Sequence, residues 1–386
     1  MSTVVLIGCP SYESQSVYAA VRKGIELLGG AAAFAKAGEK ILLKPNMLSA
    51  RAPELAVTTH PAVFEAAARI FQEAGAALSY GDSPGYEKPA HVARKTGIAG
   101  VAEKLNVSAA DFETAVAVSG FLKPQDAGNL TFPIAKGVCE ADGVISLSKM
   151  KTHSMTRLTG AVKNQLGCVV GFEKARLHFR NPNPREFSLR LAAITKIVNP
   201  RLYIMDGVIA MEGEGPSGGS PVHMGVLLFS RDPVALDAVF CRLVNLDPAH
   251  VPTIAAGQAL GLGTANDISL AGDPLENFIK PDFDVLRKPV ADDILFRPLR
   301  PFKNSIIPRP VIDAAKCKKC GVCVEACPVQ PRKALAFPGS ARAAAPVYTY
   351  SRCIRCYCCQ EMCPHKAISV KTPLFGRFIT RFLGKF

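Results

Sequence analysis

The first 286 residues alternate between short apolar runs and longer amphipathic stretches. Apolar runs at 3–7, 40–43, 77–80, 144–147, 202–205 and 226–229 predict buried β-strands. Stretches 13–28 and 60–75 carry apolar residues at helical spacing, and Pro61 follows Thr58 and Thr59, which we expect to cap the second helix. Strands alternating with helices predict an α/β fold with a doubly wound, mostly parallel sheet.

Polar residues follow almost every predicted strand of this region. Ligands of doubly wound sheets bind at the carboxyl ends of the strands, so we expect a polar pocket there. Lysine binds anions or polarises a carbonyl, and histidine donates a proton near neutral pH. The candidates for catalysis are therefore Lys151, His153, Lys163 and Asn46. The candidates for substrate binding are Lys44, Asp82, Ser83, Lys149, Asn164, Asp206 and Glu212.

Structural roles compete with several of these assignments. A lone histidine is more often structural, and His153 gains weight as a functional residue only through the lysines close to it in sequence. Asp232 and Asp237 equally suit the cap of a helix that starts near Pro233. No glycine fingerprint in a strand–helix context and no P-loop occurs, so nicotinamide and nucleotide triphosphate cofactors are not indicated.

Charge and cysteine divide the chain into two chemically different parts. Residues 1–286 hold 27 basic and 27 acidic residues, whereas residues 287–386 hold 19 basic and 5 acidic ones, which accounts for the whole net charge of +14. Nine of the 13 cysteines lie between Cys317 and Cys363. No binding motif accompanies the basic residues, which argues against a nucleic-acid partner.

The cysteine-rich part contains two runs of the form C-x2-C-x2-C-x3-C-P. The first run begins at Cys317 and the second at Cys353. This spacing is typical of bacterial ferredoxins, and it fits neither a zinc site, which usually takes paired ligands, nor a disulfide framework. The region resembles a two-cluster ferredoxin domain, with a small α+β fold, in which each last cysteine ligates the other cluster. The resemblance implies two [4Fe–4S] clusters, one held by Cys317, Cys320, Cys323 and Cys363, the other by Cys353, Cys356, Cys359 and Cys327.

Cys358 falls outside this spacing. We expect it to be a small buried apolar residue beside the cluster, with a redox role as the less favoured alternative.

A combination of short motifs in the first part resembles the family known as domain of unknown function 362. The motifs span roughly residues 3–275, and members often carry a C-terminal ferredoxin domain. The resemblance implies an architecture and a set of pocket residues more than a reaction. The motifs are Lys44-Pro45-Asn46, Lys151-Thr152-His153, Lys163-Asn164 with Gly167, Asp206-Gly207, Gly215-Pro216 and Asp232-Pro233-x3-Asp237.

We divide the chain into an α/β domain (1–286), a basic proline-rich linker (287–310), the dicluster domain (311–371) and a basic amphipathic tail (372–386). The apolar face of the tail suits either an anionic membrane surface or the protein's own core. Because no apolar run is long enough to cross a bilayer and no signal sequence is evident, we expect a cytoplasmic protein, with membrane contact through the tail as an option.

These features favour an iron–sulfur oxidoreductase. Two clusters would pass electrons from a soluble donor protein to a small anionic or carbonyl-bearing, quinone-like acceptor in the α/β domain. One alternative is a non-catalytic electron carrier or assembly partner whose α/β domain binds another protein. A third is non-redox chemistry in the α/β domain, with the clusters structural or sensory.

Overall fold

The computed structural model describes residues 1–85, 87–120, 130–171, 173–181, 183–289, 303–339 and 342–374. Its main feature is a nine-stranded sheet in which eight strands follow the order β11-β1-β10-β9-β7-β2-β3-β4 and β8 pairs with β7. The strands of this sheet are β1 Ser2–Gly8, β2 Lys40–Pro45, β3 Ala77–Tyr80, β4 Ser108–Ala109, β7 Gly143–His153, β8 Arg157–Thr159, β9 Leu202–Glu212, β10 Ser220–Ser230 and β11 Ile268–Gly272. A separate hairpin pairs β5 Ala115–Gly120 with β6 Leu130–Ala135.

The helices of the first domain lie on both faces of this sheet. They are α1 Ser14–Glu26, α2 Pro61–Glu73, α3 Pro89–Lys95, α4 Ile98–Lys104, α5 Lys136–Cys139, α6 Ala161–Asn164, α7 Glu173–Arg180, α8 Pro184–Val198, α9 Pro233–Leu243 and α10 Pro252–Ala259. Short 3₁₀ turns span Ala31–Ala33, Pro53–Leu55, Gln165–Cys168, Pro248–His250 and Leu275–Phe278.

Two apolar cores form because successive strand residues point to opposite faces of the sheet. On β1, Val4 and Leu6 join the core under α8 and α9, whereas Val5 and Ile7 join the core under α1 and α2. The sheet is therefore covered on both faces, which confirms the predicted α/β class with a mostly parallel sheet. The carboxyl ends of its parallel strands are free to form a site.

Strand β10 differs in direction from the parallel strands that the alternation of strands and helices predicts. β10 pairs antiparallel with both β1 and β9, so the residues that follow it lie at the opposite edge of the sheet. Asp232 accepts hydrogen bonds from the amides of Val234 and Ala235 at the start of α9 and from the hydroxyl of Ser2 at the start of β1. Asp232 therefore caps α9, which is one of the two roles that the sequence allowed for it.

Other boundaries differ in detail. β7 and β9 are longer than their apolar runs, so Lys149, Lys151 and Asp206 lie within strands and not in the loops that follow. The cap of α2 is His60, whose Nδ1 accepts the Ala62 amide, so the expectation of a threonine cap is wrong.

The cysteine-rich domain is a small unit built on two-stranded sheets. Its strands are β12 Arg309–Ile312, β13 Leu335–Ala336, β14 Val347–Tyr348 and β15 Ile368–Lys371, and β12 pairs with β15 and β13 with β14. Its helices are α11 Lys303–Ile306, α12 Val322–Glu325 and α13 Cys358–Glu361. β12 takes in the end of the expected linker, while 290–302 and most of the expected tail lie outside the described residues. In the part of the chain described, no helix is long and apolar enough to cross a membrane.

Candidate functional site

A cavity lies where the carboxyl ends of the parallel strands meet the cysteine-rich domain. It holds about 820 Å³, including the part open to solvent, which is the size range of small-molecule pockets. We call it the interdomain cavity. Its lining residues are Asn46, Leu48, Asp82, Ser83, Gly85, Lys151, Thr159, Lys163, Asn164, Leu166, Gly167, Lys174, Ala175, His178 and Pro216 from the first domain, and Ala326, Cys358, Glu361 and Met362 from the second.

A hydrogen-bonded network from β2, β7 and α6 forms the floor of this cavity. Lys151 donates to Asn46 Oδ1 over 2.8 Å and to the carbonyl of Val57 over 2.6 Å. Asn46 in turn donates to Asn164 Oδ1 over 3.1 Å. Burial lowers the pKa of Lys151 well below its ordinary value, and the nearby Lys163 and Lys149 lower it further. Lys151 is thus held in place as part of the floor.

Lys44 lies beneath this floor as the partner of Asp82. Their Nζ and Oδ1 atoms are 2.8 Å apart and both side chains are buried. Asp82 Oδ2 also accepts the amide of Met47 over 2.6 Å. Gly167 leaves room for this pair, because a Cβ atom there would lie 1.8 Å from Asp82 Oδ1.

Lys163 differs from the other buried lysines of the site. It lies on α6, whose first two amides are capped by the Asp237 carboxylate at 2.6 and 3.2 Å. Within the described residues, Lys163 Nζ has neither a hydrogen-bond acceptor nor an acid within ion-pair distance, and it lines the cavity. Burial lowers its pKa, and the negative charge of Glu361 opposes that effect. Lys163 is therefore a buried cation that faces open space.

Helix α7 adds two residues that the sequence analysis missed. Lys174 donates to the carbonyl of Ser83 at 2.8 Å and to its hydroxyl at 2.5 Å, and burial lowers its pKa to about 7. His178 stacks on Phe187, and its Nδ1 is buried without a hydrogen-bond partner. Burial lowers the pKa of His178 to about 3, so the ring is neutral at physiological pH. The i, i+4 spacing of Lys174 and His178, which puts both on one helix face, is the signal that could have paired them.

Glu361 enters the cavity from the second domain and is held there by His153. His153 Nε2 lies 2.9 Å from Glu361 Oε1, while its Nδ1 accepts the amides of Met155 and Thr156. Burial, and then Lys163, lowers the pKa of His153 to about 4, so we assign a neutral ring with its proton on Nε2, facing the carboxylate. Burial alone would raise the pKa of Glu361, but His153 and Lys163 outweigh it and lower that pKa.

Predicted as a catalytic group, His153 lies behind Glu361 and does not line the cavity. Nothing in the sequence pointed to Glu361, because it is a single acid between two cysteines of the second run.

Further contacts hold the two domains together around the cavity. Gln360 donates to the carbonyl of Glu214 and Lys366 to that of Gly219, each over 2.8 Å. Ser217 donates to the carbonyl of Glu361 itself. Met362 packs so closely on Gly85 that a Cβ atom there would lie 2.6 Å from the methionine sulfur. The glycine permits the domains to approach, and the cavity is closed by both.

Three of the predicted residues lie elsewhere. Lys149 and Asp206 form a fully buried ion pair of 2.8 Å, and Tyr12 donates to Asp206 Oδ1 over 2.7 Å while accepting from Lys149 over the same distance. We call Tyr12, Lys149 and Asp206 the closed cluster, since each charge has its partner within it. Glu212 accepts the amide of Asp284 on the outer part of β9. None of them lines the interdomain cavity.

Eight cysteines surround two further cavities in the second domain. Cys317, Cys320, Cys323 and Cys363 line one of about 330 Å³, and Cys327, Cys353, Cys356 and Cys359 line one of about 320 Å³. Each set combines three cysteines of one run with the last of the other, the grouping that the resemblance implies. Four thiols around one space are the donor set of a cubane cluster, so the residues fit such a group. No group of three or more His, Cys, Asp or Glu side chains among the described residues is arranged to hold a single metal ion.

The two cysteine sets differ in solvent exposure. Cys320 of the first set is exposed to solvent. Both sets have chain neighbours in the wall of the interdomain cavity: Ala326 and Cys358 adjoin Cys327 and Cys359 of the second set, and Met362 adjoins Cys363 of the first. The surplus Cys358 is buried and lines the interdomain cavity.

Comparison with known proteins finds one family model in each of the two parts of the chain. The family described as "Domain of unknown function (DUF362)" matches residues 41–242, and the "4Fe-4S dicluster domain" matches residues 309–364. A dicluster domain implies electron transfer. The chain is also 36% identical over 263 residues to a thylakoid-associated protein of Synechocystis sp., a match that covers 68% of this chain and 80% of that one.

Two solved structures are distantly similar. The lactate racemase apoprotein from Thermoanaerobacterium thermosaccharolyticum aligns with a TM-score of 0.40 and 13% identity over 62% of this chain. A protein from Thermotoga maritima aligns with a TM-score of 0.32 and 14% identity over 58%. The alignment spans 56% of the length of each.

The motifs, the matched domain and the Synechocystis relative agree, and the resemblance inferred from sequence is confirmed. This chain belongs to the family of domain of unknown function 362 and carries a 4Fe-4S dicluster domain after it.

Proposed function

We propose that this protein is an iron–sulfur oxidoreductase that delivers electrons to a small anionic or carbonyl-bearing, quinone-like acceptor in the interdomain cavity. The main support for this proposal is the composition of the cavity wall. Lysines of the α/β domain form one side, and chain neighbours of the cluster cysteines Cys327, Cys359 and Cys363 form the other. An acceptor in this space lies against both domains.

The eight cysteines would hold the two [4Fe–4S] clusters in the two sets given above. When bound, such clusters exchange single electrons over a potential range that their surroundings tune. The chain's own residues do the remaining work. The docked second domain covers the strand ends and reduces access of water to the acceptor.

Protons for the reduction come from lysines in this proposal. Reduction of a carbonyl to an alcohol takes up two electrons and two protons. Lys163 and Lys174 both have lowered pKa values because they are buried, so each releases a proton more readily than an exposed lysine. Lys151 and Asn46, held to each other, orient the acceptor from the floor. His153 keeps the Glu361 carboxylate in place.

Electrons would enter from a soluble carrier protein at the first cysteine set, through its exposed member Cys320. Lys316, Lys318 and Lys319 are exposed beside Cys320, and a surface of one charge steers an oppositely charged partner. We therefore propose an acidic electron carrier as the partner. The reduction rate should fall with added salt and in the variant Lys318→Glu, whereas a rate insensitive to both would contradict this surface.

For location, we propose the cytoplasm, with membrane contact through residues 372–386. The name of the Synechocystis relative refers to thylakoid association of that protein. Cell fractionation of the full chain beside a chain ending at residue 371 tests the contact, since only the full chain should sediment with membranes.

The test of the function is anaerobic. The cluster-loaded protein is reduced until its absorbance bleaches, the reductant is removed, and quinones, enones and 2-oxo acids are added. Rapid reoxidation by one class, slowed at least tenfold by Lys163→Met but not by the surface control Lys104→Met, supports an enzyme. Reoxidation by carrier proteins alone, or equal rates in both variants, overturns it in favour of an electron carrier.

A further inference from the structure

The interdomain cavity is surrounded by more lysines than acids. Four buried lysines surround it: Lys44 lies beneath the floor, Lys151 forms part of the floor, and Lys163 and Lys174 lie in the wall. Only two acids accompany them: Asp82 pairs with Lys44, and the Glu361 carboxylate contacts the neutral His153 and acts on Lys163 from beyond ion-pair distance. Within the described residues, no acid lies within ion-pair distance of Lys151, Lys163 or Lys174. Burial of a charge is costly unless a countercharge lies nearby.

Three groups in the wall that can donate a hydrogen bond have unused capacity: Lys163, His178 and Thr159, whose buried Oγ1 has no partner. Lys163 Nζ has no acceptor among the described residues, whereas Lys151 and Lys174 donate hydrogen bonds to oxygen atoms of the protein. His178 is 4% exposed and its Nδ1 has no partner. A neutral imidazole and an ammonium facing one space form a recognition site for an oxygen anion.

The rest of the wall is apolar. Leu48, Leu166, Ala175, Pro216 and Met362 line the same cavity. An inorganic ion would leave these surfaces against water, while a carbon skeleton would bury them. The cavity therefore suits a molecule with a charged end and an apolar body.

We infer that the ligand of the interdomain cavity is a small organic acid whose anionic group is bound by Lys163 and His178. The inference rests on the proposed function in that it names the acceptor class for the same cavity, and it excludes neutral quinones as the natural ligand. Carboxylates and phosphate monoesters both present the oxygen anion that these two groups recognise. The bound anion supplies the missing countercharge, so binding is accompanied by proton uptake on the wall lysines.

Calorimetry on the oxidised, cluster-loaded full chain tests this without any turnover. The probes are 2-oxobutanoate, its uncharged methyl ester, butyl phosphate and inorganic phosphate. We expect 2-oxobutanoate, butyl phosphate or both to bind. If 2-oxobutanoate binds, its methyl ester should bind at least tenfold more weakly. If butyl phosphate binds, inorganic phosphate should bind more weakly than butyl phosphate. Heats measured in two buffers of different ionisation enthalpy should reveal proton uptake.

Substitutions of Lys163 test whether its positive charge, and not only the shape of its side chain, is needed for binding. Lys163→Met should weaken binding of the organic anion at least tenfold, Lys163→Arg should restore part of it, and Lys104→Met on the surface of α4 should leave it unchanged. Melting temperature and cluster absorbance of each variant show that the fold is retained. Equal affinity for acid and ester, no binding of either organic anion, or unchanged binding in Lys163→Met would overturn the inference.

The two proposals fail in different ways. An organic anion that binds through Lys163 but never reoxidises the reduced protein leaves the anion site standing and removes the oxidoreductase. Rapid reoxidation by a neutral quinone, with no anion binding, does the opposite.

Discussion

The closed cluster and the interdomain cavity use the same residue types at the same edge of the sheet. Lys149 and Lys151 are even two residues apart on β7. In the closed cluster the lysine meets Asp206, and Tyr12 completes the hydrogen bonds. In the cavity, Lys163 meets open space. The comparison teaches that a buried lysine indicates a ligand site only where the protein itself supplies no counterion.

The largest effect is expected in the closed cluster. Lys149→Met leaves the Asp206 carboxylate buried without its cation, which should lower the free energy of unfolding by about 3–5 kcal/mol. Chemical denaturation followed by circular dichroism measures it. Lys23→Met, which removes an exposed pair with Asp273, should cost about 1 kcal/mol or less. Equal losses in both variants would show that the closed cluster is not a stabilising ion pair.

A smaller effect is expected where the cavity floor depends on a glycine. In Gly167→Ala the new methyl would lie 1.8 Å from Asp82 Oδ1 and 2.8 Å from Lys44 Nζ, so the pair must move, at a cost of about 1–3 kcal/mol. Gly100→Ala on α4 is the matched control, since nothing lies within 4 Å of the added Cβ, and it should gain up to about 1 kcal/mol. A harmless Gly167→Ala would mean that the Lys44–Asp82 contact is not tightly enclosed.

The pH dependence of anion binding distinguishes the cavity from the closed cluster. Lys174 is half protonated near pH 7 in the free protein, where burial lowers its pKa, Asp82 and Cys168 oppose that effect and Lys44 adds to it. A bound anion raises this pKa, so the protonated form binds better. Affinity should be constant below about pH 7 and fall above it, by at most about tenfold per pH unit. Calorimetric titrations between pH 6 and 9 measure the profile.

In Lys174→Met the fall that begins near pH 7 should disappear. A wild-type affinity that rises with pH would contradict the role of a protonated lysine in the cavity.

The smallest effect on stability is expected for Lys163→Met. No described hydrogen bond or ion pair is lost, and removal of a costly buried charge offsets the lost attraction to Glu361, so the free energy of unfolding should change by less than about 1 kcal/mol in either direction. The same denaturation experiment as for Lys149→Met measures it. A loss as large as that of Lys149→Met would show that Lys163 has a stabilising partner and would erase the contrast between the two sites.

Patterns that are local in the chain could be interpreted from the sequence alone. The cysteine spacing indicates the dicluster domain, because cluster ligation depends on residues a few positions apart. The strand and helix periodicities predict the covered sheet, and the motif combination identifies the family. The strand order also predicts one polar edge, because the ends of parallel strands meet there, and Asn46, Asp82, Ser83, Lys151, Lys163 and Asn164 all line the interdomain cavity.

Contacts between distant segments were decided only by the tertiary structure. The antiparallel β10 moves Asp232 to the far edge, and α7 brings Lys174 and His178 into the wall. Glu361 comes from the second domain, and His153, expected as a proton donor, contacts it and does not line the cavity. Whether a lysine is neutralised or left free depends on which acid lies within about 4 Å of it in space. A sequence names the charges, but only the packed chain determines which of them meet.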